Sequence, residues 1–135
     1  MKTAKSPDKV VWLNQGWFPP YYGFAPNKRA WKKALKKLEL PAEPYPTTDA
    51  RCTSFKSHKT GKLVILVTVG DHISPEHDPV GIIGLLVHEA MHVWRHIRED
   101  IGEDSPSAEF EAYALQHISM ELMEAFAATR GIKPV

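Results

Sequence analysis

The amino-acid sequence predicts a single α+β domain, and three observations lead there. A helix with one apolar stripe comes first, two β-branched runs joined by a turn signal follow, and two long capped helices close the chain. The order helix, hairpin, long helix, long helix suits helices packed on a small antiparallel sheet. With 135 residues, the chain fits one domain, 1–135, and can bury one modest core.

Residues 1–9 are polar and expected to fray. Residues 10–27 are rich in aromatics, proline and glycine, which excludes a long helix. The expectation is an irregular segment that wraps the core with its rings as anchors, or lines a cleft. Asn27 can cap a helix running to about Leu40, with Trp31, Ala34, Leu35 and Leu38 on its apolar stripe. Its other face carries Lys28, Arg29, Lys32, Lys33, Lys36 and Lys37. The stretch 41–49 is a proline-rich connector. Residues 50–57 and 62–69 read as two strands around the turn signal His58-Lys59-Thr60-Gly61. The second is nearly continuous hydrophobe, as a strand covered on both faces requires.

Asp78-Pro79 opens the next helix, with aspartate as cap and proline in the first turn, and it should end near Glu99. Val80 to Val87 is apolar almost all round, so this half is expected to cross the middle of the core. Gly81 and Gly84 leave room for a close neighbour. Ser105-Pro106 repeats the capping signal for a last helix over about 106–129, with Phe110, Leu115, Ile118, Leu122 and Phe126 at apolar positions.

Composition narrows the function classes. The net charge of +1 names no polyanionic partner by bulk. A lone cysteine, Cys52, excludes an internal disulfide and an all-cysteine zinc site, and reads as a small core residue. No secretory leader or bilayer-length apolar stretch is present, so a cytoplasmic location and no membrane partner are expected.

The second helix carries His88-Glu89-Ala90-Met91-His92. Residues four apart lie one turn above each other, so both imidazoles can reach one zinc ion. Glu89 is rotated by about 100° from His88, which suits a general base beside the metal rather than a ligand. His96 lies about 12 Å along the axis from His88 and cannot meet the same ion. The longer HExxHxxGxxH pattern is absent, because Arg95 and Arg98 occupy its glycine and third-histidine positions. His58 and His117 read as solvated or too distant. His72 and His77, in the loop before the motif helix, read as surface residues, with oxyanion stabilisation as the functional alternative.

HExxH on one helix followed by Glu109-Phe110-Glu111-Ala112-Tyr113 on the next resembles the gluzincin peptidases. The match is specific at these two motifs, and the layout of residues 62–127 is similar to that of the compact minigluzincins. The resemblance implies a zincin-like fold and one Zn2+ held by His88, His92 and Glu109, with Glu111 as the alternative ligand. It also implies Glu89 as catalytic base and a peptide or protein substrate lying along an edge strand. Ala112 would allow close helix packing. Tyr113 stands where the family has aspartate or asparagine; it could support the site or pack in the core.

The expected function is therefore zinc-dependent peptide hydrolysis. Two rivals are a non-catalytic, zinc-stabilised module on a peptidase-like fold and a nucleic-acid-associated protein using the basic helix 28–37.

Overall fold

A central strand with no polar face organises the molecule. The computed structural model describes residues 8–13, 21–74, 76 and 78–130. Its elements are β1 (Val11–Trp12), β2 (Tyr21–Phe24), α1 (Lys28–Lys37), β3 (Ala50–Lys56), β4 (Leu63–Val69), α2 (Pro79–Asp100) and α3 (Ala108–Thr129). The α+β class expected from sequence is present, as three helices and one four-stranded sheet ordered β1-β2-β4-β3.

Strand β4 pairs antiparallel with β3, from Ala50 opposite Val69 to Lys56 opposite Leu63. On its other side it pairs in parallel with β2. One face of β4 sends Ile65, Val67 and Val69 into a core shared with α2 and α3. The other sends Val64 and Leu66 into a core shared with Trp31, Ala34 and Leu35 of α1 and Phe55 of β3. The chain thus stacks three layers, α1, sheet, and the α2–α3 pair. A strand buried on both faces gains nothing from alternating polarity, which accounts for the unbroken hydrophobic run.

The aromatic segment departs from the expectation of irregular chain. Val11–Trp12 and Tyr21–Phe24 are strands, and β2 reaches β4 through the α1 crossover. Parallel pairing between segments distant in sequence leaves no local turn signal to read. The anchoring role holds for Tyr22 and Phe24, both fully buried. The Tyr22 hydroxyl donates to Glu121 of α3 and ties that helix to the sheet. Residues 14–20, and 1–7 of the segment 1–9 expected to fray, lie outside the described residues.

Helix caps follow the sequence with one shift. The Asn27 side chain accepts from the Ala30 N–H, and Asp78 accepts from Gly81. At Gly81 a Cβ would come within 2.3 Å of the Asp78 carboxylate, so the room left there is filled by the cap itself. For α3 the capping residue is Ser107, whose hydroxyl accepts from Phe110 N–H at 3.1 Å, rather than Ser105.

The first half of α2 also differs from expectation. Val80 is 77% exposed and Ile83 48%, so this half lies on the surface of the core. Among the described elements the sheet and α3 make the main contacts with α2, and two neighbours cannot cover a helix all round. Its buried face is Ile82, Leu86, Ala90, Val93, Trp94 and Ile97. Among the described residues no helix is long and apolar enough to cross a membrane.

The cap assignment has a direct test in urea unfolding. Ser107→Ala should lower stability by about 1 kcal/mol, and Ser105→Ala should change it by less than about 0.5 kcal/mol.

Candidate metal centre

The buried stripe of α2 leaves His88 and His92 on its open side, one turn apart. Both residues are exposed, and their Nε2 atoms are 3.3 Å apart. The rings meet edge to face, with centroids 4.9 Å apart. The two ring nitrogens are in hydrogen-bond contact, with donor and acceptor set by the tautomers. Two nitrogens bound tetrahedrally to zinc at 2.0–2.1 Å are about 3.3–3.4 Å apart, so the pair already has the separation a zinc ion requires.

Glu89 sits between the histidine side and the buried stripe, and is only 4% exposed. Burial pushes its carboxyl above the usual carboxylate range; the neighbouring His88, His92 and Arg51 pull it partly back. Cys52 of β3 faces this carboxyl. Burial, reinforced by the Glu89 charge, pushes the Cys52 thiol up to about 12. The thiol therefore stays protonated at neutral pH and is a poor metal ligand, in keeping with its reading as a packing residue.

An open groove runs beside the pair. Thr48, Asp49 and Ala50 form one wall, and Gly84, Leu85, His88 and Glu89 form the other. A Cβ on Gly84 would meet nothing within 4 Å, so this glycine leaves open space in the groove. Among the described residues β3 is an edge of the sheet, so of the two hairpin strands it is the one whose outer side has no neighbouring strand. Thr48 and Asp49 belong to what the sequence presents as a connector. Nothing in their local pattern marks them as groove residues; the β3–β4 register puts them there.

The glutamates of α3 divide. Glu111 accepts from the Trp94 indole N–H at 2.8 Å and from Arg98 at 3.5 Å, which commits it to the α2–α3 seam. Glu109 lies in the first turn of α3, exposed. Among the described residues no third histidine, cysteine, aspartate or glutamate joins His88 and His92 in one cluster. Ala112 is exposed, and the small residue that permits close packing on α3 is Ala114, 3% exposed. Tyr113 is 65% exposed and does not pack in the core.

The remaining histidines are accounted for individually. His72 is bonded to Asp49 through Nε2 at 2.7 Å, on the rim of the groove. His117 pairs with Glu121 one turn on, at 3.4 Å. His58 is exposed in the hairpin turn, His96 is half-buried on α2, and His77 lies outside the described residues.

Compared with protein-family models, curated proteins and solved structures, the chain matches none.

The state of Cys52 can be measured. With a thiol-specific reagent at neutral pH, the folded protein should react at least about 100-fold more slowly than the urea-unfolded chain, because reaction requires the thiolate. Comparable rates would show that the thiol is neither buried nor held protonated.

Proposed function

We propose that this chain is a small zinc-dependent metallopeptidase, with His88 and His92 as two ligands and Glu89 as general base. The supporting observation is the 3.3 Å separation of the two Nε2 atoms beside a buried carboxyl on the same helix. Two exposed imidazoles suit zinc, which accepts nitrogen donors.

When bound, zinc lowers the pKa of a water to about 7 and polarises a carbonyl oxygen. The chain's own residues supply the rest. Glu89 accepts a proton from the attacking water and delivers it to the leaving amine nitrogen. Its raised carboxyl pKa brings it closer to the proton affinities of both partners. The outer edge of β3 offers backbone donors and acceptors to an extended peptide, which would lie along the groove between β3 and α2.

A catalytic zinc takes three protein ligands and keeps one open position. Glu109 is the candidate for the third place. Its exposed carboxylate is not occupied by the Trp94–Arg98 seam that holds Glu111. The rival reading, a non-catalytic zinc-stabilised module, would need four protein ligands, further from the two donors that converge among the described residues. Glu89 separates the two, since a purely structural site has no use for a buried base beside its ligands.

The test combines zinc content with cleavage of a peptide library. Wild type should bind one zinc and cleave. Glu89→Gln should keep zinc and lose about 100-fold or more of the activity. His88→Ala should lose zinc. Glu109→Gln should weaken zinc by about tenfold or more, with Glu111→Gln near wild type. Zinc without cleavage in wild type would leave the structural-module reading, and a wild type that binds no zinc would refute both.

A further inference from the structure

One edge of α2 is apolar and uncovered. Val80 is 77% exposed, Ile83 48%, Val87 36% and Met91 37%. Val80, Gly84, Val87 and Met91 recur at the four-three-four spacing of a helix-pairing seam, which runs about 16 Å down the axis. Ile83 widens the seam. Near its middle a Cβ on Gly84 would meet nothing within 4 Å, so a second backbone can approach closely there. Exposed hydrophobes in an unbroken line, rather than scattered singly, mark an interaction surface. By helical rotation the histidine pair lies between this seam and Glu89. A helix docked on the seam therefore leaves the β3 side of the groove open.

The charges at the two ends of the seam select its occupant. Helix α2 contains no lysine, so an anionic lipid surface would find no lysine rim along it. Glu76 and Asp78 stand exposed at the N-terminal end. Arg95, one turn beyond Met91, stands exposed at the C-terminal end. Neither Glu76 nor Arg95 forms an ion pair among the described residues. The neighbouring Arg98 is engaged by Glu111, and Glu99 falls on the histidine side of the helix. A second α2 laid antiparallel on the first sets Val80 against Met91 and Gly84 against Val87. It also brings Arg95 of each copy towards Glu76 of the other. A two-fold axis makes every one of these contacts twice. A parallel copy would set Arg95 beside Arg95.

We propose that the exposed edge of α2 is a self-association surface, on which a second copy of this chain docks antiparallel across a two-fold axis midway between Val80 and Met91. This surface does not depend on the peptidase reading.

Sedimentation velocity of the full chain, with a chelator present, tests it. The seam is short for a stable interface, so monomer should predominate at about 10 µM and dimer at about 500 µM. Val87→Glu, at an exposed position, should keep the urea midpoint of the dilute wild-type monomer. It should weaken the dimer by about 30-fold or more, because the two-fold sets the new charges near each other. Arg95→Glu and Glu76→Arg should each weaken the dimer by about fivefold, and the double variant should restore the wild-type value. A chain still monomeric at about 500 µM overturns the proposal. So does a dimer that Val87→Glu leaves intact or that the double variant fails to restore. Association that the chelator abolishes also overturns it, since that would be a metal bridge between exposed histidines.

Discussion

Helix α2 can bury only one face against the sheet, and Ile82, Leu86, Ala90, Val93 and Ile97 take it. That choice fixes the rotation of the helix, and the rotation fixes the chemistry. With Ala90 and Val93 turned inward, His88 and His92 must emerge together on the open side, one turn apart. Glu89 then falls at the boundary, beside β3, where burial raises its proton affinity. A rotation by one residue in one direction would bury both histidines, and in the other direction it would expose the carboxyl. The apolar stripe therefore does more than stabilise the fold, because it aims the three polar groups.

Much of this was legible in the sequence because it rests on local rules. The Asn27 and Asp78 caps, the β3–β4 hairpin and the helical spacing of His88 and His92 involve residues close in the chain. What was not legible depends on partners far away. The parallel β2–β4 pairing joins Tyr21–Phe24 to Val64–Val67 across the α1 crossover. The exposure of Val80 and Ile83 reflects how many elements pack on α2, which the composition of one helix does not reveal. Likewise the sequence places Glu109 ahead of Glu111 in the motif frame but leaves Glu111 as an alternative. The Trp94 indole, reached only when α3 folds back on α2, commits Glu111 elsewhere.

The same seam shapes the openness of the site. Trp94 stacks edge-on against Phe110 with centroids 5.7 Å apart, so α3 is held against the C-terminal half of α2. The N-terminal half, with Gly84, Leu85 and His88, is left facing the groove beside β3. This wall is open, and the edge strand β3 runs along it.

The most direct measurement is zinc K-edge X-ray absorption on the zinc-loaded protein. The account predicts a first shell of nitrogen and oxygen only, with two imidazoles at 2.0–2.1 Å. His92→Ala should remove one imidazole from that shell or abolish loading. A sulfur scatterer near 2.3 Å, or an imidazole shell unchanged in His92→Ala, would contradict it.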